Sequence, residues 1–201
     1  MHRRTLDMFF VAGGLVLSVL LVVFGMVLKS NADFANDYVH DQLAEQKITF
    51  TPAKFLAPEE KKVACLVKYA GQPLTTGPQA ECYANEYIAL HLTEVNDGKT
   101  YAETSGTARE ARTAADEATK SGAPNAAALE AQAAKLEGMT QTLFRGETLR
   151  GLLLTSYGFS EFGRKADQAA TVAFIGAFVL FLASIAGIVH LLRTPKEQMV
   201  D

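Results

Sequence analysis

Residues Met8–Leu28 read MFFVAGGLVLSVLLVVFGMVL, and residues Ala169–Leu192 read AATVAFIGAFVLFLASIAGIVHLL. At 1.5 Å rise per residue, about 20 apolar residues cross the roughly 30 Å hydrocarbon core of a bilayer as a helix. Neither run contains Asp, Glu, Lys or Arg. Both are therefore predicted transmembrane helices, and the remainder divides around them: a short N-terminus (1–7), helix one (8–28), an intervening domain (29–168), helix two (169–192) and a tail (193–201). The expected fold class is an all-α, multi-pass membrane protein, with two transmembrane helices flanking a helical domain.

The residues just outside the runs set the expected orientation. His2, Arg3 and Arg4 precede the first, and Arg193 and Lys196 follow the second, which places both termini in the cytoplasm and the central domain outside it. Lys29, Arg164 and Lys165 at the other ends act against that bias. The first run is longer than the about 7 to 15 residues of a signal-peptide core, so it is expected to be a retained anchor. Between Lys29 and Gln168 lie 15 of the 19 basic and 19 of the 22 acidic residues, a net of −4 without any block of like charge. Nucleic acid is therefore not an expected partner. The only two cysteines, Cys65 and Cys82, both fall in this region. An isolated pair in an exported domain is most simply a disulfide, closing a loop of about 17 residues and contributing about 3 kcal/mol.

Small residues mark one face of each apolar run. Gly14, Ser18 and Gly25 are spaced by four and seven; Ala169, Ala173 and Ala177 recur every four residues, with Gly176, Ala183 and Gly187 beside them. Such faces let helices approach closely, so Gly14, Ser18, Gly25, Ala173, Ala177, Ala183 and Gly187 are candidate helix-association residues, within the chain or between chains. Phe34, Tyr38 or Val39, and Leu43 continue the first helix to about Gln46. Ile48–Phe50 reads as a short extended stretch or a linker. A helix is predicted from Pro58 to Gly71 and another from Pro78 to Asn96–Gly98, stapled by the disulfide. Ala108, Ala111, Ala115 and Ala118, then Ala126, Leu129, Ala133 and Leu136, alternate three and four apart on either side of Ser121–Pro124, the pattern of an alanine-rich antiparallel helical hairpin; coiled-coil pairing with another subunit is the competing reading, supported by fewer than three clean heptads. Gly146, Gly151, Gly158 and Gly163 make a straight helix into the second span less certain. The same stretch carries Phe144, Leu149, Leu153, Tyr157, Phe159 and Phe162, which either pack internally or form a partner surface.

Chemistry is harder to find. His2, His40, His91 and His190 are scattered and show no metal-ligand spacing; His190 falls at the end of the second run, an interfacial position. An enzyme would need a buried polar cluster around His91 or His40. No P-loop, nucleophile elbow, dinucleotide fingerprint or CxxC pair is present, so no cofactor or metal is expected. The adjacent acidic pairs Glu59–Glu60 and Asp116–Glu117 are expected on solvated helix faces.

The stretches NADFANDYVHDQLAEQKITFTP (residues 31–52), CLVKYAGQPLTTGPQAECYANEYI (65–88) and FRGETLRGLLLTSYGFSEFGRKA (144–166) resemble a family of small two-span actinobacterial membrane proteins of unknown function. The resemblance covers nearly the whole chain and is weakest in the alanine hairpin. It implies a cell-envelope setting. Members often carry the label aromatic ring-opening dioxygenase, a chemistry that takes an iron held by histidines and a carboxylate, and the sequence offers no such constellation. The expectation is a non-catalytic accessory or scaffold subunit whose partners are the lipid bilayer and other membrane subunits or itself, a respiratory-type complex among them. The alternative is an extracytoplasmic module that binds a lipid, quinone or small molecule.

Overall fold

The computed structural model describes residues 3–193; His2, Lys196 and the tail beyond Arg193 lie outside the described residues. Two helices dominate the element order. Helix α1 runs Arg3–Glu45, then come short helices α2 (Ala64–Tyr69), α3 (Gly77–Cys82) and α4 (Ala89–Thr93), then α5 (Tyr101–Ser121) and α6 (Ala126–Arg193). No β-strand forms among the described residues beyond one isolated antiparallel bridge, Thr49 with Pro73. The chain divides into two compact units: Met1–Tyr38 with Ser160–Asp201, and Val39–Phe159.

The first unit contains the apolar parts of α1 and α6. Over their most apolar 18-residue windows both helices have a mean hydropathy of 2.7, and only 11% and 17% of those windows is buried within the protein. The core helix of a water-soluble domain buries most of such a window; these two expose it.

The second unit is held by a core of Val39, Leu43, Phe50, Leu66, Leu74, Ala80, Ile88 and Leu153. The stretch Ile48–Phe50 lies against residues 71–74 through three backbone hydrogen bonds: Phe50 N–H to Gln72, Gly71 N–H to Phe50 and Leu74 N–H to Ile48. Gly71 turns there with φ +73°, the left-handed region that glycine enters without a Cβ clash. The helix predicted from Pro58 is shorter than expected. Glu60–Lys62 forms a single 3-10 turn, Val63 is extended (φ −96°, ψ 110°), and α2 starts only after it. The cause is local: the Glu60 carboxylate folds back to accept from the Ala57 backbone N–H at 2.7 Å, which stabilises a tight turn in place of a first α-turn.

Thr76 and Gln79 cap α3 reciprocally, with Pro78 in its first turn. The chain continues through a π-helical turn, Tyr83–Ile88, into α4. The disulfide joins Cys65 on α2 to Cys82 at the end of α3, with Cα atoms 6.1 Å apart.

The alanine hairpin forms as predicted, although its second arm is the start of one 68-residue helix. Thr100 and Glu103 make a capping box at the start of α5, and Gly122 ends it at φ +65°. Ala108, Ala115 and Ala118 from α5 and Ala133 from α6 are buried. Across the seam the Arg112 guanidinium donates to both Glu137 oxygens at 2.7 and 2.8 Å and to Glu130 at 2.6 Å. These hydrogen bonds hold the Glu137 carboxyl below its ordinary value of 4.5. A depressed folded value contributes stability above the ordinary carboxylate range that is lost as pH falls through the folded value. Thermal melts at falling pH should therefore show an acid-labile component, and Arg112→Ala should flatten that acid limb; an unchanged pH profile would count against the clamp.

The glycines before the second span do not interrupt α6. Gly151 and Gly158 face open space, and the Gly146 and Gly163 positions adjoin Leu92 and Ala35 respectively, so two of the four serve close packing.

Candidate functional site

Apart from Leu15, the buried or half-buried positions of α1 between Val11 and Val39 are Val11, Gly14, Ser18, Leu21, Gly25, Leu28, Ala32, Ala35 and Val39. Their spacing alternates three and four, the 3.5-residue repeat that keeps one face of a helix against a partner. Within the first unit that partner is α6, running antiparallel. The Ser18 hydroxyl donates to the Ala177 carbonyl at 2.8 Å. A Cβ placed on Gly25 would lie 2.8 Å from the Phe174 ring, one on Gly187 2.7 Å from Val11, and one on Gly163 3.0 Å from the Ala35 Cβ; one on Gly14 would collide with the Ser184 hydroxyl. Each glycine thus marks a point where the helices touch.

Six of the seven association residues expected from sequence fall on this seam, and the contacts are made within the chain. Ala183 is the exception: it is exposed, as is Ala169. Ala170 and Ser184, each one residue further along, take the buried positions instead. A strict four-residue reading rotates slowly off a 3.5-residue seam, so it selects the wrong neighbour at both ends. Ala32, Ala35, Gly163, Ala170 and Ser184 were missed, although continuing the three–four spacing of α1 outward finds the first two.

Polar pairs close both ends of the apolar seam. At one end Lys29 Nζ lies 2.8 Å from Asp167 and 2.8 Å from Asp33. The hydrogen bond that Lys29 donates to Asp167, then the one to Asp33, raises its pKa above the ordinary value. At the other end His190 Nε2 is 4.0 Å from Asp7. From Asp7 to Lys29 along α1 the rise is about 33 Å, close to the roughly 30 Å thickness of a hydrocarbon core. Between these levels the large side chains Phe9, Val16, Val19, Leu20, Val23, Phe24, Val172, Phe178 and Phe181 point outward and are exposed. The small residues of the seam lie inside the pair, while Ala12, Gly13, Ala183 and Ala186 join the large side chains on its outer surface.

The expected partner surface divides. Leu153 is 3% exposed and belongs to the core of the second unit, which removes it from any docking face. Tyr157 is half-buried. Phe144, Leu149 and Phe159 are exposed, with Phe144 against the Tyr101 ring at 5.7 Å. In the first unit Phe162 is 76% exposed.

One polar cluster lies in the second unit. Glu60 is buried, with its Oε1 3.7 Å from His91 Nε2, and the rings of Tyr83, Tyr87 and His91 follow one another at 4.6 and 4.5 Å along the π-helical turn and α4. The His91 Nδ1 is 2.7 Å from the Tyr87 carbonyl. Burial first, then Tyr87 and Glu60, push the Tyr83 hydroxyl up to about 12. A raised folded value means that this contribution to stability is present below the ordinary value of 10 and is lost as pH rises through about 12. Ultraviolet titration should resolve a tyrosine ionising at about 12 that disappears in Tyr83→Phe; a titration curve identical in the two proteins would refute the assignment. Among the described residues no group of three or more His, Cys, Asp or Glu is placed to hold a metal. His40 is exposed on α1.

Comparison with protein-family models, with curated proteins and with solved structures returned no match.

Proposed function

We propose that this chain is a two-span integral membrane protein that acts as a non-catalytic accessory or scaffold subunit, with its helical domain on the extracytoplasmic side. The observation that carries the reading is the first unit: two exposed apolar helices, zipped through their own small residues and closed by polar pairs about 33 Å apart along α1. Such a pair needs no second chain to satisfy its small-residue faces. What it offers outward is mainly valine, leucine, isoleucine and phenylalanine.

An exported placement agrees with the disulfide, since such bonds persist in oxidising compartments. Antiparallel pairing puts the start of α1 and the end of α6 at the same end of the helix pair, in keeping with both termini being cytoplasmic. The buried packing of Val39, Leu43 and Leu153 favours a scaffold over a ligand-capturing module, because the space such a module would keep open is filled. The resemblance to small actinobacterial membrane proteins adds a cell-envelope setting, and a respiratory-type complex is one assembly to test.

The test is gentle detergent extraction at native abundance, followed by identification of stoichiometric co-purifying subunits. Recovery with a defined set of membrane subunits supports the accessory role. A monodisperse species with no other subunit, alone or as a homo-oligomer, overturns it.

A further inference from the structure

A groove of about 500 Å³ runs along one side of the helix pair. Its floor is the Ser18–Ala177 contact, and its walls are Val19, Val23, Met26, Phe174, Phe178 and Phe181. The floor hydroxyl already donates its hydrogen bond, so nothing in the groove calls for a polar ligand group. A second helix is a poor fit. Close helix packing in a bilayer uses small residues, and the two that line this groove, Ser18 and Ala177, are engaged with each other at its floor, while its walls are valine, methionine and phenylalanine. A flexible chain fits between such walls.

The same helix faces continue out of the groove into charge. On α1, Val22, Met26, Lys29 and Asp33 succeed one another at spacings of four, three and four, and on α6 Phe181, Phe178, Phe174 and Asp167 follow the same face in the opposite direction. The groove therefore opens at the Lys29–Asp33–Asp167 cluster, where one ammonium is shared between two carboxylates, leaving one negative charge. Asp33 and Asp167 are about half exposed there. That charge opposes a purely anionic headgroup and suits a cationic one.

Resting on the two-span reading above, we propose that this groove and its charged mouth form a site for a phospholipid with a primary-ammonium headgroup, whose N–H groups can donate to the carboxylates as a choline headgroup cannot. An acyl chain lies between the Val23 and Phe178 walls, and the headgroup ammonium sits on Asp33 and Asp167.

The chain contains no tryptophan, so single tryptophans report without background. Phe178→Trp places one in the groove wall, and Leu20→Trp places one on the exposed outer face of α1 at a similar level. Each full-length variant is reconstituted into phosphatidylcholine vesicles carrying a minority of bromine-labelled lipid, either phosphatidylethanolamine or phosphatidylcholine. Quenching at Phe178→Trp should report an association about three-fold stronger for brominated phosphatidylethanolamine, the scale of an exposed ionic contact, with no preference at Leu20→Trp. Adding Asp33→Asn, which leaves the Lys29–Asp167 pair in place, should bring the groove reporter to parity. Equal quenching by both lipids at Phe178→Trp overturns the site, and a preference that survives Asp33→Asn overturns the headgroup assignment. A groove reporter shielded from both lipids while Leu20→Trp is quenched overturns the site by showing that protein covers it. If Leu20→Trp is quenched by neither lipid, the two-span reading itself fails, and the site fails with it.

Discussion

Replacing Gly163 with leucine is expected to pry α6 away from α1. The position is buried, and a Cβ there already meets three atoms at once: the Ala35 Cβ at 3.0 Å, the Asn36 Oδ1 at 3.2 Å and the backbone carbonyl oxygen of Ala32 at 3.3 Å. A leucine adds three further carbons into that contact. At Gly25 the obstructing group is the edge of the Phe174 ring, which is partly exposed and free to swing outward. At Gly163 the Asn36 side chain can swing away, but the Ala32 carbonyl and the Ala35 Cβ have no rotamer to yield. Overpacking of this kind costs about 1 to 3 kcal/mol, and the upper end applies where backbone must shift. Gly158, five residues earlier on the same helix, faces open space, so Gly158→Ala should be neutral or slightly stabilising through helix propensity alone. Spin labels on introduced cysteines at the exposed positions Ser30 and Lys165 would report the α1–α6 separation in micelles. The separation should grow and broaden in Gly163→Leu and stay fixed in Gly158→Ala. An unchanged distance in the leucine variant would sink the seam.

That contrast bears on what the small residues do. Glycine and alanine stripes in a membrane helix are read as surfaces for other proteins or for helices of the same chain, and sequence offers no means of choosing. Here the choice follows from register: Gly14 with Ser184, Ser18 with Ala177 and Gly163 with Ala35 are all satisfied internally. A partner subunit would have to meet the outward valine, leucine and phenylalanine faces, or the exposed side chains of the second unit.

Local rules were enough for much of the architecture. Apolar length gave the two long helices. Three–four spacing of alanines and the turn at Ser121–Pro124 gave the hairpin. An isolated cysteine pair gave the disulfide. Nonlocal features were harder to read. The pairing of Ser18 with Ala177 joins residues 159 apart in sequence, and no local propensity encodes its register. Leu153 looks like a surface residue in a glycine-spaced segment until the helix phase is fixed by Val39 and Leu43 packing beside it. The break at Val63 depends on Glu60 folding back to Ala57, a side-chain choice that competes with an otherwise sound helical start. The π-helical turn at Tyr83–Ile88, which aligns Tyr83, Tyr87 and His91, left no signature in residue type.

Loss of the Cys65–Cys82 bond is expected to have the other large effect, confined to the second unit. The two helices it joins are six residues each, far below the about 12 to 15 residues at which an isolated helix becomes marginally stable. They hold their shape through tertiary contacts: Leu66, Leu74 and Ala80 in the core, three backbone hydrogen bonds between residues 48–50 and 71–74, and the disulfide. Opening a loop of 17 residues restores chain entropy to the unfolded state corresponding to about 3 kcal/mol. For a unit of this size that is a fall in Tm of about 10 °C or more. Cys65→Ser with Cys82→Ser should reproduce the effect of reductant on the wild-type protein, and reductant should do nothing further to the double variant. The first unit contains neither cysteine, so the α1–α6 distance should be unaffected in both. A transition coinciding with that of the wild type would show that the core alone holds α2 and α3. The same bond reports on compartment: freshly isolated membranes should yield Cys65 and Cys82 as a linked peptide pair, and thiols open to alkylation at both would overturn the exported placement of the domain.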